Sequence, residues 1–289
     1  MSDRLYRFLF ENADVRGELV QLDDVFREVI RRADYPPVVS RLVGEAMAAA
    51  ALLTATLKFR GRLVLQIQAN GPLTMLVVQV NSDGTLRALA RYNAEVPDAP
   101  LNQQASGGAL AITVDPEDGT ERYQGIVDLA PGSLAAALEK YFRDSEQLDT
   151  RVWLSAVEGR AGGMLLQRMP GDATEDVDAW ERAGHLAETL TVRELLNLDV
   201  SEILRRLFHE EDIRLFDPMP LRFRCRCSRE SVGAMVASLG EAEVRDIVAE
   251  HGLVEVHCDF CNEAYRFDPV DVEQLLTDPT GPCPSTTQH

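Results

Sequence analysis

The sequence is short of the features that would place it in a membrane, on a nucleic acid or among the common hydrolases. No amino-terminal hydrophobic core with a cleavage site follows Met1-Ser2-Asp3-Arg4, where short alternating apolar residues stand instead. A secretory signal needs a run of about 7–15 apolar residues. The longest apolar run, Ala46 to Leu57, carries Thr54 and Thr56 inside it. It falls short of the roughly 18 residues that a membrane span needs, and reads as a buried helix. Positive charge is scarce, with 29 Lys and Arg against 47 Asp and Glu, a net charge of -18. Phosphates are held by a basic face, so this balance argues against a nucleic-acid binder. It also favours solubility. No Ser-His-Asp arrangement, glycine-rich phosphate loop or internal repeat stands out, and Gly159-Arg160-Ala161-Gly162-Gly163 reads as a hairpin tip. What remains is a soluble, cytoplasmic chain without a membrane or nucleic-acid partner. Its 289 residues, 45% apolar, suffice for a sizeable core.

The pattern along the chain is α+β. Leu5 to Phe10 reads as an apolar-rich strand ended by Asn12-Ala13-Asp14, and Val15 to Leu22 as a second strand. Asp23 or Asp24 caps a short helix to Arg32. After Tyr35-Pro36-Pro37, Val38 to Leu57 forms a long Ala-rich helix of high propensity. Strands follow at 63–67 and 73–80. Asn81-Ser82-Asp83-Gly84 is a hairpin turn into Thr85 to Tyr92. Two more strands, Ala109 to Val114 and Arg122 to Leu129, flank Asp115-Pro116-Glu117-Asp118-Gly119. Ser133 caps a helix from Leu134 to Arg143. A last hairpin, Arg151 to Val157 and Met164 to Gln167, turns around Gly159, Gly162 and Gly163. This gives an amino-terminal α+β core over residues 1–171. Residues 172–221 read as a helical connector, helical from Trp180 to Asp217. Its apolar face carries Leu195, Leu196, Leu198, Ile203, Leu204, Leu207 and Phe208. A compact domain over 222–276 and a disordered tail over 277–289 complete the chain.

Five cysteines in a reducing compartment point to metal or reactivity before structural disulfides. Cys225-Arg226-Cys227 and Cys258-Asp259-Phe260-Cys261 are two close pairs separated by a small helical insert. This is the pattern of a tetrahedral four-thiolate zinc site, with one Zn²⁺ per chain. The insert has a helix from Leu239 through Ala249, ended by Gly252, and then a strand from Leu253 to His257. A one-residue spacer can ligate metal or close a small, strained, readily reduced disulfide ring. Cys258 and Cys261 have the spacing of redox-active pairs. Most sites with four cysteine ligands are structural, so spacing alone leaves a permanent zinc knuckle open beside a redox switch. Arg222, Arg224, Arg226 and Arg229 surround the first pair. They read either as counter-charges to the thiolates or as a solvated face. His257 is a possible substitute ligand, and Cys283 lies between prolines outside the pattern.

These residues resemble a known family, the redox-regulated bacterial chaperones called heat shock protein 33, the 33 kDa chaperonin. The likeness is close at Phe223-Arg224-Cys225-Arg226-Cys227-Ser228-Arg229-Glu230 and at Val256-His257-Cys258-Asp259-Phe260-Cys261-Asn262-Glu263. It continues in Gly125-Ile126-Val127-Asp128-Leu129 and in Tyr141-Phe142-Arg143-Asp144-Ser145-Glu146-Gln147. The resemblance implies an amino-terminal core, a metastable helical linker and a zinc domain. It implies an ATP-independent holdase, not an enzyme, that is inactive while reduced and zinc-bound. Oxidation would form Cys225-Cys227 and Cys258-Cys261 disulfides and release zinc. Unfolded client proteins would then bind under oxidative and heat stress, and the active form would be a homodimer through the amino-terminal domain. The family's zinc ligands fall on Cys225, Cys227, Cys258 and Cys261. The competing readings are a thiol–disulfide oxidoreductase using Cys258 and Cys261, and a zinc-stabilised nucleic-acid-binding module.

Overall fold

The computed structural model describes residues 3–56, 60–93, 95–129, 132–170, 176 and 178–277. The expected tail beyond Thr277 with Cys283, the end of the long helix at Leu57 and most of 171–177 lie outside the described residues. The chain divides between Arg224 and Cys225 into two compact units, where sequence places a boundary between 221 and 222. The helices of the expected connector belong to the first unit.

In the first unit two antiparallel sheets enclose one helix. The first sheet runs β10 (Ile213–Leu215), β1 (Arg4–Phe10), β2 (Val15–Leu22), β9 (Arg160–Arg168), β8 (Thr150–Val157), with β11 (Met219–Pro220) also pairing β1. The second runs β12 (Arg222–Phe223), β5 (Thr85–Tyr92), β4 (Leu73–Asn81), β3 (Gly61–Gln68), β6 (Ala109–Pro116), β7 (Tyr123–Asp128); only β12 joins it in parallel. Between the sheets lies α2 (Pro37–Thr56), whose residues Ala46 to Ala51 are fully buried. An Ala-rich helix suits this place because its small side chains let both sheets approach. It is long and apolar enough to cross a membrane by composition, but its contacts with β2, β8 and β9 on one side and β3, β4 and β5 on the other make it a core helix.

Three further helices, α1 (Asp24–Ala33), α3 (Leu101–Gln104) and α4 (Leu134–Tyr141), complete the two-sheet body. The hydroxyl of Ser133 accepts from Ala136 N–H and caps α4 as expected. A π-helical turn, Phe142–Glu146, then ends the helix and leads to β8.

The outer face of the first sheet is covered by α5 (Ala179–Ala187), α6 (Val192–Asn197) and α7 (Val200–Leu207). Phe8, Phe10, Val15, Leu19, Met164 and Leu166 of the sheet pack there against Trp180, Leu195, Leu196, Ile203, Leu204, Leu207 and Phe208. The Phe10 and Phe208 rings meet edge to face at 5.0 Å.

Two stretches of the first unit differ from the sequence expectation. Helix was expected as far as Asp217, yet Ile213–Leu215 and Met219–Pro220 are strands on β1. The open edge of β1 supplies backbone partners that local propensity does not register. Gly162 and Gly163 were expected in a turn but lie inside β9, and the turn is confined to Glu158-Gly159. They are glycines because neighbours crowd them. A Cβ at 162 would stand 3.1 Å from Leu196 Cδ2, and one at 163 would stand 2.9 Å from Leu52 Cδ1.

The second unit is small. Its helices are α8 (Arg229–Ser238), α9 (Glu241–His251) and α10 (Pro269–Thr277), and its hairpin is β13 (Val254–His257) with β14 (Ala264–Phe267). Gly252 ends α9 in the left-handed conformation as expected. Its buried core is Val232, Val236, Val244, Val254, Phe267 and Val272. Five valines and one phenylalanine make little apolar volume for a unit of this length.

Candidate metal centre

Each cysteine pair is placed by local structure. Cys225 and Cys227 lie in chain without regular secondary structure just before Ser228, which caps α8 in a reciprocal box with Ser231. Cys258 and Cys261 occupy the turn of the β13–β14 hairpin. Asn262 N–H donates to Cys258 O at 2.8 Å, and Cys258 N–H to Glu263 O at 3.0 Å. Asn262 takes φ 57° there, a conformation asparagine tolerates better than most residues. The hairpin therefore folds the second pair back toward one point.

The four sulfurs converge. Cys225 Sγ lies 3.6 Å from Cys258 Sγ, and Cys227 Sγ 3.3 Å from Cys261 Sγ. All four lie within 4.8 Å of one another. None is disulfide-bonded. Both of these close approaches run between the pairs, not within them. A cation bound at about 2.3 Å from each of four thiolates sets sulfurs about 3.8 Å apart, so the donors fit a tetrahedral metal ion. These residues can hold a metal, and the all-thiolate set is the one zinc favours.

The sulfurs do not ionise alike. Burial works against the Cys225 thiolate, but the Cys227 backbone N–H and the neighbouring thiols outweigh it and lower Cys225 to about 7. Burial raises Cys227 and Cys261. The Cys225 proton thus leaves more easily than those of Cys227 and Cys261; a metal is held by thiolates, so its affinity must fall in acid.

Other sequence candidates are placed differently. Two of the four arginines are turned to carboxylates: Arg222 stands 3.6 Å from Asp83, and Arg229 2.7 Å from Asp271 while its guanidinium stacks 4.6 Å over Phe267. These two arginines therefore have carboxylate partners of their own. His257 Nε2 faces Glu255 at 3.0 Å, and His257 is outside the sulfur cluster. Sequence reasoning missed Tyr265, whose hydroxyl hydrogen-bonds Cys227 and whose own pKa rises mainly for that reason. Its place follows from the hairpin register, Val256 opposite Tyr265, and the missed strand β14 concealed it.

A family model described as Hsp33 protein matches residues 3–268. The chain belongs to the Hsp33 family. It is 50% identical over 279 residues to the 33 kDa chaperonin of Methylobacillus flagellatus, covering 96% of this chain and 95% of that protein. It is 48% identical over 287 residues to the 33 kDa chaperonin of Nitrosococcus oceani, covering 99% of each. Among solved structures, the Hsp33 homologue of Thermotoga maritima superposes with a TM-score of 0.81 at 25% identity. The match covers 96% of this chain and 98% of that one. The names its relatives carry make the Hsp33 family one of chaperones.

Proposed function

We propose that this chain is a redox-regulated, ATP-independent holdase that binds unfolded client proteins in the cytoplasm under oxidative and heat stress. The carrying observation is the convergence of four thiols in a unit whose buried core is six residues. Bound zinc contributes the cross-link such a unit lacks, on the order of 10–16 kcal/mol for small zinc domains. Cys225, Cys227, Cys258 and Cys261 hold it as thiolates while the protein is reduced.

A peroxide or similar two-electron oxidant takes two electrons from each pair of thiols. Cys225 joins Cys227, and Cys258 joins Cys261: for each disulfide two thiolates give up two electrons, the O–O bond of one peroxide breaks, and two protons from solvent complete two waters. Once the sulfurs are bonded to each other, no thiolate remains to hold the cation, and the second unit unfolds. The disturbance passes along the chain. β10, β11 and β12, of three, two and two residues, lie between α7 and Cys225 and fray readily. The connector then loosens, and Phe8, Phe10, Leu19 and Leu204 become apolar surface for unfolded chains. The active form is a homodimer through the first unit.

The oxidoreductase reading is disfavoured because Cys258 and Cys261 sit in a hairpin turn and not at a helix amino-terminus, which lowers a thiol pKa. Peroxide titration of the reduced, zinc-loaded protein is the test, with released zinc and peptide-mapped disulfides followed together. One zinc should leave per chain as the two intrapair links form. Dominant links between the pairs, matching the close sulfur approaches, would sink the assignment.

A further inference from the structure

One side chain of the sheet reads a whole face of α5. Arg151 stands on β8, on the face turned to the connector. Its guanidinium lies 5.4 Å over the Trp180 ring, donates to Glu181 Oε2 at 2.6 Å and approaches Glu188 at 3.7 Å. It fills the space over Gly184, where a Cβ would stand 1.8 Å from Arg151 Nη1. Residues 180, 181, 184 and 188 follow helical spacing, so one planar cation spans two turns.

The contact has a cost on both sides. Glycine lowers helix propensity more than any residue but proline, and a nine-residue helix is marginal alone. Among the described residues Arg151 Nη1 is buried without a hydrogen-bond acceptor, leaving the guanidinium incompletely satisfied by them. A cleft of about 340 Å³ borders Arg151, Trp180 and Glu181, which lets water compete for the Glu181 carboxylate.

We propose that Arg151 is the latch of the connector: α5 gives up intrinsic helicity at Gly184 to admit this guanidinium, so it is folded only while docked. Docking and folding of α5 become one two-state event, and the latch sets how often its face opens in the reduced protein. The consequence for client binding rests on the proposed holdase function.

The test uses the full chain, reduced and zinc-loaded, with amide exchange read over residues 180–188. Arg151→Ala should speed exchange roughly tenfold, as the loss of a charge-assisted hydrogen bond does. Gly184→Ala should also speed exchange, because the methyl expels the guanidinium. In the Arg151→Ala background the sign should reverse, and Gly184→Ala should slow exchange about fivefold through helix propensity. Slower exchange from Gly184→Ala in both backgrounds would overturn the latch, as would unchanged exchange in Arg151→Ala. Suppression of client aggregation is measured on the same samples. Faster exchange without any gain in reduced-state suppression upholds the latch and overturns α5 as part of the mask, the helical layer that covers the apolar face of the first sheet.

Discussion

Glu18 sits in the middle of β2, buried, opposite Arg7 and 4.0 Å from Arg16, with no hydrogen-bond partner for Oε2 among the described residues. Burial outweighs both arginines and pushes its carboxyl up to about 7 from 4.5. The folded chain therefore keeps a proton that the unfolded chain releases between those values. Its stability is complete below the unfolded pKa and declines as pH rises toward 7, by on the order of 3 kcal/mol at most. Glu18→Gln imitates the protonated form. The variant should match the parent near pH 5 and melt higher at pH 8. Trp153 and Trp180 both lie in the first unit, so their fluorescence isolates its transition. A variant less stable at pH 8 would mean that Arg16 holds Glu18 ionised and that burial is the lesser effect.

The connector helices hold to the sheet by apolar contact and by a few polar ties. The Gln21 side-chain amide donates to Leu195 O and Leu198 O at 2.8 Å each, satisfying carbonyls at the end of α6. Leu204 is 5% exposed within this layer, and a buried leucine contributes roughly 1.5–3 kcal/mol. Leu204→Asp should loosen α7 and raise holdase activity in reducing buffer with zinc still bound. Unchanged activity with faster amide exchange over α7 would remove α7 from the mask. At this scale the sequence was legible where structure is local. The long helix, the Asn81–Gly84 turn and the Ser133 cap were readable because neighbouring residues determine them. β10 to β12 were not, since strands of two or three residues exist only against a distant edge. α10 left a usable signal in Asp268-Pro269, a helix-start pair. The cysteine pairs declared themselves by spacing, whereas Tyr265, Gln21 and Arg151 act across the fold and carry no local mark.

The two units differ in how they are held together. The first buries a helix between two sheets, and the second has a core of six buried apolar side chains among the described residues, to which the proposed zinc would add its cross-link. Removing metal from the reduced protein with a chelator should therefore unfold the second unit and leave the two sheets and α2 of the first folded. Circular dichroism should lose the signal of α8 to α10 and keep that of the two sheets. Retention of all helical signal would show that zinc is not what stabilises the second unit. The oxidised form should scatter light as a dimer at micromolar concentration; a monomer that still holds clients would separate dimerisation from activity. The most direct test is suppression of aggregation of a heat-unfolded client, comparing reduced zinc-loaded protein with peroxide-oxidised protein at equal concentration. The expected result is little suppression by the reduced form and strong suppression by the oxidised form, reversed when thiols and zinc are restored. Equal suppression by both forms would contradict it.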